Sequence, residues 1–178
     1  ISRDDYTGIW SDSYRPLQVK LFDIFEQQRD PHHLERFVEA QNPVYDQVCR
    51  ELQQGLKMTH WMWFIFPQIG GLSSSAMSRR FAIASLEEAA AYLDHSVLGP
   101  RLVQCTEFVV NTSGRTLKQI LGPTDNMKFR SCMTLFAHTT ASNEVFEVAL
   151  QRYFSGQSDQ LTLDRLGEIG RASCRERV

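Results

Sequence analysis

His60-Trp61-Met62-Trp63-Phe64-Ile65-Phe66-Pro67-Gln68 is the stretch around which the chain is organised, and it holds two of the three tryptophans. An apolar run this short does not span a bilayer, which takes about 20 residues. It reads as a segment buried in a water-soluble core. There His60, the indole N–H groups of Trp61 and Trp63, and the Gln68 amide must find partners. Aromatic walls with a few fixed polar groups describe a ligand pocket and an ordinary core equally well. Period-2 alternation is absent across residues 57–66, and no other segment offers a strand partner. A helix ended by Pro67 is therefore expected.

Outward from this stretch the chain is punctuated by helix signals. Ile69-Gly70-Gly71-Leu72-Ser73-Ser74-Ser75 is a Gly/Ser loop running into a helix from about Ser75 to Phe81. Backbone amides of such a loop at a helix start can hold an anion, although Gly-Gly followed by serine is commonly plain punctuation. Ser85-Leu86-Glu87-Glu88 spells a capping box, with Glu88 reaching back to Ser85. A helix over 97–111 follows, with Leu98, Leu102, Cys105 and Val109 inward; Arg101 at its start can point at the pocket or at solvent, and solvent is favoured. Thr116 to Leu121 is a short helix closed by Gly122-Pro123. Thr124-Asp125 starts another, on which Lys128, Ser131 and Leu135 share one face at i, i+3 and i+7. Helices over 143–154 and 159–166 complete the series.

On the N-terminal side, Asp30-Pro31 and Asn42-Pro43 each begin a helix. The first carries Leu34, Phe37, Val38 and Gln41 on one face; the second carries Tyr45, Val48, Cys49 and Leu52 and ends near Gly55. Almost nothing separates them, so they meet at a sharp angle with Gln41 near the corner. The expected fold is all-α, a single helical domain of about eight to ten short helices over residues 30–167.

Composition bounds the function classes. The chain has 178 residues, 42% hydrophobic and 22% charged, which fits one globular domain. A net charge of −2 with no basic stripe argues against nucleic acid as partner. No signal peptide and no run of about 18 apolar residues is present, so a cytoplasmic protein with no membrane partner is expected. Cys49, Cys105, Cys132 and Cys174 form no CxxC pair and read as free, mostly buried thiols. His32 and His33 are adjacent and no Cys/His spacing suits zinc, so no metal is expected and no cofactor is implied.

Both ends are set apart. Glu168 to Val178, EIGRASCRERV, resembles a translated sequencing adapter over all eleven positions and is excluded from the domain. Without it the chain has 16 basic and 19 acidic residues, a net charge of −3, and three cysteines. Residues 1–29 are an extension of doubtful status in which Leu17 to Gln28 could form a short helix.

The ordered blocks RFVEAQNPVYDQV, HWMWFIFPQIGGL, FAIASLEEAAAYLDHSVLGPRL and MKFRSCMTLFA resemble the bacterial family known as domain of unknown function 1810. Some members carry a calpastatin label, which we regard as mistaken. The resemblance runs from about Asp30 to Leu166 and implies a compact all-α fold and a cytoplasmic protein. It implies no activity. Ser96 departs from it where proline is expected after His95, which touches a helix start and no chemistry.

Three accounts of function follow from the residues. In the first, Gln41, His60, Trp61, Trp63, Gln68, Ser75, Lys128 and Ser131 line a site for a small polar or nucleotide-like ligand. If that site is enzymatic, it is a hydrolase with His60 as acid or base and Lys128 beside Ser131 as a second reactive group. In the second, the aromatic patch is an exposed protein-interaction surface without catalysis. In the third, His60 and Gln68 are satisfied core groups. Reaction type, ligand identity and oligomeric state are not encoded in any motif: HExxH, P-loop and GxSxG are all missing.

Overall fold

The computed structural model describes residues 30–139 and 144–175. Ten helices occur among them: α1 (Glu35–Gln41), α2 (Tyr45–Gln53), α3 (Met62–Ile65), α4 (Ala76–Arg80), α5 (Leu86–Asp94), α6 (Leu98–Asn111), α7 (Leu117–Leu121), α8 (Asp125–Ala137), α9 (Glu144–Phe154) and α10 (Gln160–Arg175). The fold is all-α, as the succession of cap signals implies. Among the described residues the β pairing consists of one isolated parallel bridge, Ile69 to Ile83. Of the described residues, 36–139 and 144–175 belong to one compact unit and 30–35 to another. The expected 1–29 extension with its helix, and the Asn143 start, lie outside the described residues.

The caps show where the local code holds. Ser75, Ser85 and Thr116 accept from the backbone N–H three residues on, and Thr116 with Gln119 makes a complete capping box. Asp30 accepts from Leu34 N–H at 2.7 Å and Glu35 N–H at 2.9 Å. It does so across a turn in which His33 takes φ 52°, so α1 begins at Glu35 rather than at Pro31. Asn42 does not cap α2; the residue before that helix is Val44, with no side-chain cap, and Asn42 Oδ1 instead accepts from Arg101. Glu88 reaches past Ser85 to Ala84 N–H at 2.8 Å while pairing with Arg36 at 2.5 Å, so this box is not reciprocal.

The helix expected over 57–66 contracts to the single turn α3. Two long-range contacts outcompete it. Residues 58–61 are wound around the Glu51 carboxylate of α2, and Ile69 finds the partner that the sequence hid, Ile83.

Two helices carry the core. α8 packs against α5, α7, α9 and α10, and α6 against α2, α3, α5 and α9. From Ser131 to Ala137 every residue of α8 is buried, which a helix surrounded by neighbours requires. Aromatic rings tie the layers together: Phe64, Phe81, Phe37, Tyr92, Phe136 and Phe146 follow one another at centroid distances of 5.1–5.7 Å. A second run passes from Trp61 through Phe66 and Phe129 to Tyr153.

α10 runs through the expected boundary at 167 to Arg175. Its described tie at the junction is the exposed Arg165–Glu168 pair at 2.9 Å, a kind of contact worth little. Deleting residues 168–178 is therefore expected to leave Tm within about 2 °C of the full chain by calorimetry. A loss of several degrees would mean that this segment belongs to the domain.

Candidate functional site

α3 turns most of the aromatic stretch to the core and leaves Trp63 toward the surface. Met62, Phe64, Ile65, Phe66 and Pro67 are buried, while Trp63 and Gln68 are partly exposed. A one-turn helix leaves carbonyls without internal partners, and Gln41 supplies one. Its Nε2 donates to the Phe64 carbonyl at 2.7 Å and to Tyr92 Oη at 3.0 Å, and its Oε1 accepts from Arg101 at 3.3 Å. Arg101, expected in solvent, instead clamps Gln41 and Asn42 and lies 4.4 Å from the Tyr45 ring centroid.

On the other flank Trp61 donates its indole N–H to Glu51 at 2.8 Å. Trp63 is therefore held from both sides by buried polar anchors.

Lys128 Nζ stands 5.1 Å from the Trp63 ring centroid and 2.7 Å from Asp125 Oδ1. Asp125 Oδ2 also pairs with Lys57 at 2.8 Å. Burial pushes the Asp125 carboxyl up, but the bonds from Lys128 and Lys57 win and hold it below its ordinary value. Lys128 is thus a paired cation above an aromatic ring.

Beside Trp63 opens a cleft of about 240 Å³. Trp63, Gln68, Phe81, Ser73, Ser78 and Arg79 line it, together with the Gly70-Gly71 segment. The Ile69–Ile83 bridge closes the segment that carries Ser73, Ser78 and Arg79: Gly70 N–H donates to the Ile83 carbonyl at 2.8 Å, and Ile83 N–H to the Gln68 carbonyl at 2.9 Å. Gly71 takes φ 90°, and a Cβ there would come 2.7 Å from the Arg165 guanidinium. Ser78 Oγ lies 2.7 Å from Ser75 Oγ and donates to Ser73 Oγ at 3.0 Å, while Arg79 bonds the Ser74 carbonyl.

Of the eight residues singled out in the sequence, Trp63 and Gln68 line this cleft. Ser75 sits next to it through Ser78, and Lys128 covers the Trp63 ring. The other four are not in its lining. Gln41 and Trp61 are each 1% exposed and serve the anchors just described. Ser131 is buried and donates to the Met127 carbonyl and, at 3.1 Å, to Asp159. His60 is exposed on the turn before Trp61.

Arg79, Ser73 and Ser78 were not singled out. The serine run and the Arg79-Arg80 pair were visible, but it is the bridge that brings Ser73, Ser78 and Arg79 into one lining with Trp63. Glu51 was equally hidden, since its partners come from 58–61.

The chemistry on offer is an aromatic face, a primary amide that both donates and accepts, hydroxyl groups and a guanidinium. That set suits a flat hydrogen-bonding ring joined to an anionic group. Among the described residues no three His, Cys, Asp or Glu side chains gather as a metal site. No helix among them is long and apolar enough to cross a membrane.

Three comparisons bear on this geometry. A family model described as "Protein of unknown function (DUF1810)" matches residues 31–166. No curated protein matches the chain. Among solved structures, the crystal structure of the conserved hypothetical protein Rv1873 from Mycobacterium tuberculosis, at 1.38 Å, is 50% identical, with a TM-score of 0.77. The similarity covers 78% of this chain and 99% of that one.

Proposed function

The chain belongs to the DUF1810 family, for which no function is known, and we propose that it binds a small, flat, anionic ligand of nucleotide type in the cleft beside Trp63. The observation that carries this is Trp63 itself: a tryptophan held by buried anchors yet left partly exposed, in a cleft lining it shares with Gln68 and Arg79. Stacking on such a face is worth about 1–3 kcal/mol per base. Arg79 and the serine hydroxyls supply donors for a phosphate or carboxylate.

The reading is one of binding. His60, the residue expected to act as acid or base, lies outside the cleft lining, and Lys128 is paired with Asp125. A protein-docking role for the aromatic stretch is less well supported, because Trp61, Phe64 and Phe66 are buried.

The test is a thermal-shift panel of nucleoside mono-, di- and triphosphates on the full chain, followed by titration of tryptophan fluorescence. A ligand at a hundredfold its Kd adds about 2.7 kcal/mol of apparent stability, or roughly 5–10 °C in Tm. Trp63→Ala is expected to weaken binding of the best nucleotide by roughly 5- to 150-fold. A panel without any shift, or a Trp63→Ala protein that binds as before, ends this reading.

A further inference from the structure

Away from the cleft, the contact between α2 and α6 brings two thiols and a phenol together. Tyr45 and Cys49 are one turn apart on α2 and so share a face. Tyr45 Oη donates to Gln104 Oε1 at 2.7 Å, and Cys105 Sγ lies 4.0 Å from Tyr45 Oη. Cys49 and Cys105 thus lie on facing helices beside the same phenol, Cys49 one turn from Tyr45 and Cys105 against its hydroxyl. Both are free, Cys49 partly exposed and Cys105 buried.

The two thiols are not equivalent. The bond from Cys105 holds the Cys49 thiol down at about 6, against the opposing effect of its own burial. Tyr45 and Arg101 assist, while Asp46 on the same helix opposes. The Cys105 thiol is pushed up by its bond to Cys49 and by burial. The pair therefore consists of one partly exposed thiol whose ionisation is favoured and one buried thiol whose ionisation is disfavoured. A peroxide-sensitive cysteine and its resolving partner show that asymmetry.

We propose that Cys49 and Cys105 are a redox-modification site, with Cys49 attacked by a hydroperoxide and Cys105 closing the disulfide. The Cys49 thiolate attacks one peroxide oxygen; an S–O bond forms, the O–O bond breaks, and the departing oxygen takes a proton from water. Cys49 is now a sulfenic acid. Cys105 then attacks the Cys49 sulfur, the S–S bond forms, and the sulfenic hydroxyl leaves with the Cys105 proton as water. The two sulfurs together lose two electrons and the peroxide gains them.

The test uses the unaltered full chain at pH 7, titrated with hydrogen peroxide, alkylated and digested for mass spectrometry. The expected product is a Cys49–Cys105 cross-linked peptide within one chain, with an intact-mass loss of 2 Da, formed ahead of any change at the buried Cys132. Cys105→Ser should halt at a sulfenic acid on Cys49, trapped by a 1,3-dione, and Cys49→Ser should leave Cys105 unmodified. Because the cross-link is read on the wild-type chain, the outcome does not depend on either variant folding. No Cys49–Cys105 peptide, or a Cys105 oxidised as fast without Cys49, overturns the proposal.

Discussion

Gly99→Ala is expected to lower the stability of the chain by about 3 kcal/mol, at the upper end of what overpacking costs. Gly99 is buried in the first turn of α6, and a Cβ there would come 1.9 Å from the Leu93 carbonyl oxygen and 2.9 Å from its carbon. Both atoms are backbone at the end of α5, so no rotamer change relieves the clash. Either α5 or α6 must move, and α6 anchors Leu98, Leu102, Cys105 and Val109, each at most 1% exposed. Alanine's better helix propensity gives back about 1 kcal/mol at most. The clash decides the sign. Urea denaturation should show the loss directly, with Tm falling by roughly 6–12 °C. An unchanged or raised midpoint would mean that the two helix ends are not in backbone contact.

Glu51→Gln is the second large effect. The Glu51 carboxylate accepts from five donors: Met58 N–H, Thr59 N–H, Thr59 Oγ1, the Trp61 indole and Gln47 Nε2, at 2.8–3.1 Å. Burial works to raise its carboxyl, and the bonds from Met58, Trp61 and Thr59 overcome this and hold it at about 2, below its ordinary 4.5. A folded-state value below the unfolded one means stability that is fully present above about pH 4.5 and is lost as pH falls toward 2. The difference amounts to about 3 kcal/mol at neutral pH. Glutamine keeps one acceptor oxygen but turns an NH₂ group toward N–H donors, so most of that stability should vanish at pH 7. Denaturation of both proteins between pH 7 and pH 2 should show the gap closing in the acid. A gap of constant size across that range would remove the carboxylate from the account.

What the sequence disclosed was local. Ser75 and Thr116 cap where they stand because each accepts from an N–H three residues away, a contact made inside one turn. The inner face of α6 was legible for the same reason: its period is a property of one helix. The winding of 58–61 was not legible, because the force that undoes the expected helix comes from Glu51 on the preceding helix. Asn42 and Glu88 looked like caps and were drawn elsewhere by arginines, Arg101 at a sequence distance of 59 and Arg36 at 52. The site divided along the same line. Trp63 and Gln68 announced themselves by composition, whereas Arg79 and Ser78 reach the cleft only through the Ile69–Ile83 pairing. Arg79 as a surface arginine carries no mark of that in the sequence.

The lining of the cleft beside the Ile69–Ile83 bridge is not uniformly tied to the core. Residues 70–82 leave and return at one point, the form of an Ω-loop, and none of the α4 residues is buried. Arg36 holds the returning end through the Arg80 and Ala82 carbonyls, contacts indifferent to the side chains of those residues. Trp63 and Gln68, by contrast, belong to the stretch whose neighbours make the core. Trp63, Gln68 and Phe81 are tied to the packing of the core, whereas Ser73, Ser78 and Arg79 are not. Changes of sequence or length between Leu72 and Arg80 can therefore reshape the cleft on an unaltered scaffold.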